Sequence, residues 1–181
     1  MMRRTLMTVL MLAAALFTTA PASADSAAEI EANVNASLSK FRTTIGGGAE
    51  LLDQSKGVLV FPEVFKAGFV FGGEYGEGAL KMGGRTAGYY SLAAGSFGLQ
   101  IGAQKKSILI LFMTERALNK FRNASGWKIG VDASVALITV GAGGSIDTDN
   151  INAPVVAVVM DQKGLMANLT LEGSKISRIN R

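Results

Sequence analysis

The densest run of chemically capable groups is Gly72-Gly73-Glu74-Tyr75-Gly76-Glu77-Gly78, which sets two carboxylates among glycines. Paired carboxylates do acid–base work only where their surroundings drive their pKa values apart. The glycines favour a β-bulge or tight hairpin carrying solvated glutamates, with backbone passing close to another strand or a ligand. Three other strings imitate known chemistry. Ser37-Leu38-Ser39-Lys40 matches a Ser-x-x-Lys nucleophile motif, but its partner motifs are absent and the segment reads as an amphipathic helix. Gly141-Ala142-Gly143-Gly144-Ser145 follows an apolar run as a dinucleotide loop does. There Ile146 takes the third glycine position, and Asp147-Thr148-Asp149 and Pro154 oppose the helix whose N-terminus a phosphate needs, so a glycine bulge between strands is the better reading. Asp147-Thr148-Asp149-Asn150 begins like a calcium loop, yet Ile151 and Asn152 break the spacing and the bidentate glutamate is missing. It reads as a polar turn.

Basic and aromatic residues make the more productive pattern. Lys105-Lys106 leads into the apolar run Ile108 to Met113, and Phe65, Lys66, Phe69 and Phe71 form a second such neighbourhood. Lys40 and Arg42 lie near the end of an N-terminal helical segment. Cationic groups beside apolar ones suit an anionic lipid headgroup and its acyl boundary. The ordinary alternative is edge-strand lysines that block aggregation and phenylalanines in a core. The candidate lipid-binding residues are therefore Lys40, Arg42, Lys66, Phe69, Lys105 and Lys106.

Composition narrows the chemistry. The 181 residues contain no histidine and no cysteine, so Ser/His/Asp and Cys/His relays, cysteine nucleophiles and ordinary zinc sites are excluded. No enzyme activity, metal or cofactor is expected. With 49% hydrophobic and 18% charged residues the chain is no disordered polymer, and its length suits one domain. Arg3 and Arg4, an uncharged stretch from Leu6 to Phe17, and Ala22-Ser23-Ala24 follow the order of a cleaved export signal. The expected domains are thus a signal peptide at 1–24 and a folded domain at 25–181. The expected location is periplasmic or secreted, in a bacterial envelope. Removing the signal takes two arginines from a net charge of +4, so mild basicity gives no reason to expect nucleic acid.

The elements that must position these groups follow from periodicity. Ser26-Ala27-Ala28-Glu29 forms a capping box, and Ile30, Val34, Leu38, Phe41 and Ile45 share one helical face. Ala49 to Ser55 reads as a short second helix, and Thr114-Glu115 caps a third, running to about Asn123. Strands are expected at Val58 to Phe61, Phe69 to Phe71, Ala87 to Leu92, Ser96 to Ala103, Ser107 to Met113, Lys128 to Val140, Val155 to Asp161 and Leu165 to Leu171, with Gln162-Lys163-Gly164 as a hairpin turn. Connections are too short for a doubly wound parallel sheet. The expected fold class is α+β: a curved, glycine-rich antiparallel sheet or partial barrel with a few packed helices, in a single domain.

Longer strings carry a resemblance. Lys56-Gly57-Val58-Leu59-Val60-Phe61-Pro62-Glu63, Lys66-Ala67-Gly68-Phe69-Val70-Phe71-Gly72-Gly73 and Gly76-Glu77-Gly78 open it. Gly88-Tyr89-Tyr90-Ser91, Gly95 to Gln104, Leu111-Phe112-Met113-Thr114, Gly126-Trp127 and Gly130 to Ala136 continue it. Lys163-Gly164-Leu165-Met166 and Leu171 to Ile176 close it. In this order, across nearly all of residues 30 to 179, the chain resembles the SYLF domain family. The resemblance implies a lipid-binding module. Eukaryotic members bind phosphoinositides and other anionic phospholipids, partly through an N-terminal amphipathic helix, and yeast members bind and bundle actin. The segment Ala27 to Arg42 occupies the helix position here, with only Lys40 and Arg42 basic. For an exported bacterial member the expected partner is anionic phospholipid or a membrane surface, and actin binding is not expected. The alternative is a non-catalytic envelope scaffold that binds a protein partner along a strand edge.

Overall fold

The computed structural model describes residues 25–68, 71–97, 102–149, 151–164, 171 and 173–181. The chain enters helix α1 (Ala27–Thr44) through the expected capping box. The Glu29 amide donates to Ser26 Oγ at 3.2 Å, and the Ser26 amide donates to the Glu29 carboxylate at 2.9 Å. Gly47, in the left-handed region with φ 75°, turns the chain into α2 (Gly48–Gln54). Eight strands are seen among the described residues: β1 (Gly57–Gly68), β2 (Phe71–Met82), β3 (Arg85–Phe97), β4 (Gly102–Phe112), β5 (Trp127–Lys128), β6 (Val135–Thr139), β7 (Val155–Gly164) and β8 (Lys175–Ile179). Helix α3 (Glu115–Asn123) links β4 to β5 and is capped by Thr114, whose hydroxyl accepts from the Ala117 amide.

The strands form one sheet in the order β5-β8-β3-β2-β1-β4-β7-β6, curled into a half-barrel. Neighbours are antiparallel except β6 and β7, which run parallel. The α+β single-domain expectation holds, and the sheet is mixed rather than wholly antiparallel.

Both faces of the sheet are covered, which explains why the central strands read as near-continuous apolar runs. On one face Ile30, Val34 and Phe41 of α1 and Leu51 of α2 pack against Val58, Val60, Leu109, Leu111, Val156 and Val158. On the other, Leu118 and Phe121 of α3 and Trp127 pack against Leu59, Phe61, Tyr90, Ile110, Phe112 and Val155. The Phe121 ring lies 4.9 Å from Phe112 and 5.5 Å, edge-on, from Trp127.

Several sequence expectations shift. The run Gly72 to Gly78, read as a bulge or hairpin, is part of a full strand, β2. Its glycines answer to β1: a Cβ on Gly78 would sit 1.9 Å from the Val60 carbonyl oxygen, and one on Gly76 2.8 Å from that of Glu63. Glu74 and Glu77, expected to be solvated, are buried, because β2 has neighbours on both sides. Lys128 to Val140 is not one strand; Gly130 at φ 81° breaks it into β5 and β6. Gln162-Lys163-Gly164 continues β7, and Gly164 stands opposite Gln104. The closing strand β8 was not among the expected strands. The signal at 1–24, Phe69, and the expected strand at 165–170 lie outside the described residues.

Candidate functional site

Two bulges on either side of β4 build the site. Pro62 has no amide hydrogen and cannot complete a ladder on β1. The β1–β4 register shifts between Phe61 and Val64, and Ser107 Oγ closes the gap by donating to the Pro62 carbonyl at 2.6 Å. On the other side, the β4–β7 register shifts between Lys105 and Ser107. There Asp161 takes φ 58°, the left-handed region that non-glycine residues rarely occupy. Each bulge presents a carboxylate, Glu63 from β1 and Asp161 from β7.

Between these bulges and α1 opens a cleft of about 280 Å³. Ser37 and Lys40 of α1, Glu63, Lys105, Asp161 and Lys163 line it, together with Lys106. Lys40 is paired with Asp161 and Lys105 with Glu63. Lys163 is exposed, and no ion pair to it is found among the described residues, so the cleft keeps a positive excess. Ser37 and Lys40, the ends of the Ser-x-x-Lys string, both reach this cleft. The ammonium of Lys40 is held by Asp161.

The register then places a row across four neighbouring strands. Tyr75 on β2 stands opposite Phe65 on β1, Phe65 opposite Lys105 on β4, and Lys105 opposite Lys163 on β7. Directly paired residues share a face, so two aromatics and two lysines line up side by side. Phe65 is 55% and Tyr75 51% exposed, whereas Phe41, Phe61, Phe112 and Phe121 are all in the core. The Lys105 ammonium lies 5.3 Å from the Phe65 ring centroid, a cation–π contact. Tyr75 donates to Glu77 Oε1 at 2.6 Å. Partial burial and that bond push its hydroxyl up to about 12, so the phenol stays neutral at physiological pH. Glu77 also takes Arg181 at 3.1 Å from the guanidinium Nε.

Of the six residues singled out from sequence, the cleft gathers Lys40, Lys105 and Lys106. The Lys106 ammonium is buried, 3.0 Å from Glu74 Oε1. Lys66 points to the opposite face from Phe65 and is only 4% exposed, since one step along a strand changes faces. Arg42 lies in a separate cleft beside Lys56 and Lys81, paired with Asp53 at 2.8 Å. Phe69 is outside the described residues. Sequence reading missed Tyr75, Lys163, Glu63 and Asp161 as members of one site, because only the cross-strand register joins them. Among the described residues no cluster of acidic groups could hold a metal ion, and no helix is long and apolar enough to cross a membrane.

No curated protein matches the chain. A family model, Ysc84, described as Las17-binding protein actin regulator, matches residues 93–180. That segment runs from the end of β3 through β8 and includes Lys105, Lys106, Asp161 and Lys163. The match over residues 93–180, just under half of the chain, is to the SYLF family that the sequence resembles.

Proposed function

We propose that this protein is an exported, non-catalytic module that docks on anionic phospholipid through the row Tyr75–Phe65–Lys105–Lys163 and the adjoining cleft. The observation that carries this reading is the exposed aromatic pair beside two lysines on one face of the sheet. Aromatic rings settle at the headgroup boundary, and each lysine near an anionic surface adds about 1 kcal/mol. Burying both aromatic side chains adds about 1.5–3 kcal/mol each, which brings the sum to the sub-millimolar to micromolar range. The family model's match over residues 93–180 supports a lipid-binding role, since lipid and actin binding are what that family is known for. An exported protein meets membrane rather than actin. The basic, apolar and small residues of 1–24 support export to the periplasm or beyond.

Flotation of the purified protein with neutral and with phosphatidylglycerol-rich vesicles, at low and high salt, tests the reading. Binding to the anionic vesicles alone, weakened by salt, is the expected outcome. A second reading, a scaffold pairing with another protein, is favoured by one feature: β6 is an edge strand and exposes Leu137. A folded protein that floats with no vesicle would move the function to that edge.

A further inference from the structure

The two edges of the sheet are built differently. At one edge the outer side of β5 is closed by its own turn: the Lys128 amide donates to Asp132 Oδ2 at 2.6 Å, and the Asp132 amide donates to the Lys128 carbonyl at 3.0 Å. At the other edge β6 pairs with β7 alone, and among the described residues no backbone bond is made to its outer side. Edge strands are ordinarily guarded by a charge, a proline or a bulge. Here no charged residue and no proline occurs from Ala133 to Ile146, and the β6–β7 register runs without a shift. Leu137, at the centre of this strand, is 43% exposed.

The phase of β6 decides which backbone groups are left over. The Val140 amide donates to the Val159 carbonyl at 2.9 Å. Alternate residues of a strand aim their N–H and C=O at opposite neighbours, so Val140, Ile138 and Ala136 turn theirs toward β7. Val135, Leu137 and Thr139 therefore aim theirs outward, a set centred on Leu137. Laid antiparallel against a second β6, Leu137 exchanges both bonds with its own counterpart, and Val135 exchanges both with Thr139, so every outward group finds a partner. The side chains suit the same register, because directly opposed residues share a face. Branched Val135 meets branched Thr139, small Ala136 meets large Ile138, and Leu137 packs on the Leu137 of the second copy. A foreign strand has no such match, since an edge without charge offers nothing by which to select a charged partner.

We propose that β6 is a homodimer interface in which two copies pair antiparallel about Leu137, joining two 8-stranded half-barrels into one continuous sheet. The two-fold axis stands perpendicular to the sheet, so like faces stay on the same side. On the docking reading above, the two aromatic–lysine rows then meet one membrane together and bind it bivalently; the dimer itself does not rest on that reading.

Sedimentation and single-cysteine crosslinking of the purified protein test the proposal. The wild type is expected to sediment as a dimer. Leu137→Pro removes an amide that bonds nothing within one chain, and Leu137→Lys sets like charges opposite each other. Both are expected to give monomers with the circular-dichroism spectrum of the wild type. The chain has no cysteine, so one introduced thiol can bridge only to a second copy. In this register the paired Cα atoms at Leu137 stand about 5.5 Å apart, within disulfide reach, whereas those at Thr139 stand roughly 14 Å apart. Leu137→Cys is therefore expected to crosslink on mild oxidation, and Thr139→Cys to do so less by roughly tenfold or more. Three results would overturn the proposal: a wild type that is monomeric throughout the micromolar range, a dimer that survives either Leu137→Pro or Leu137→Lys, or equal crosslinking by the two cysteine variants.

Discussion

Phe65 and Tyr75 are large, half-exposed rings, and in the proposed docking they are the groups that enter the membrane. Phe65→Ala and Tyr75→Ala should each weaken flotation with anionic vesicles by roughly 10-fold or more. Because both rings are about half exposed, the melting temperature should change little. Tyr75 also offers a titration. Its folded pKa of about 12 lies above the usual value near 10, so the folded state holds this proton more tightly than the unfolded one. Its contribution to stability is present below pH 10 and is lost as pH rises toward about 12. Burial raises Tyr89 and Tyr90 as well, so spectrophotometric titration should show all three tyrosines ionising late, and Tyr75→Phe should remove the step near pH 12. Phe65 and Lys66 could be read from sequence as a basic–aromatic neighbourhood. Their separation onto opposite faces needed the strand phase, which the Pro62 bulge resets.

At the scale of elements, the helix caps, the apolar face of α1 and the central strands β1, β4 and β7 were legible because periodicity and capping are local. The strand β2 was not, since its glycines are explained by the close approach of β1 rather than by a turn. That difference is testable. Gly78→Ala should cost about 3 kcal/mol, because its Cβ would collide with the Val60 carbonyl 1.9 Å away. Gly73→Ala, with nothing within 4 Å of the new carbon, should be nearly neutral in chemical denaturation. Helix α1 is tied to the sheet by Glu31, which accepts from Lys81, Thr86 and Tyr89. Burial pushes the Glu31 carboxyl up, but the bonds from Lys81 and Thr86 outweigh it and hold the group below its ordinary value of 4.5. The stability it adds is therefore present above about pH 4.5 and is lost as pH falls through the folded pKa. Glu31→Gln should cost about 2 kcal/mol at pH 7 and less at pH 3, as read from urea midpoints.

For the whole molecule, the half-barrel separates two surfaces that sequence reading had merged. One face carries the aromatic–lysine row and the cationic cleft beside α1, and the other carries the buried Lys66–Glu74–Lys106 cluster. The chain has no histidine or cysteine, and it packs an apolar core on each face of the sheet. The family pattern was visible in the strings from Gly95 to Ile176, inside the matched residues 93–180, but the site was not, because its members are joined only by pairing between strands distant in sequence. The most direct test compares flotation of the wild type and the Phe65→Ala/Lys105→Ala protein over phosphatidylglycerol vesicles at low and high salt. The account predicts wild-type flotation that salt weakens and that the double substitution removes, with both proteins folded. Equal flotation of the two proteins would contradict it, as would wild-type flotation indifferent to salt and to lipid charge.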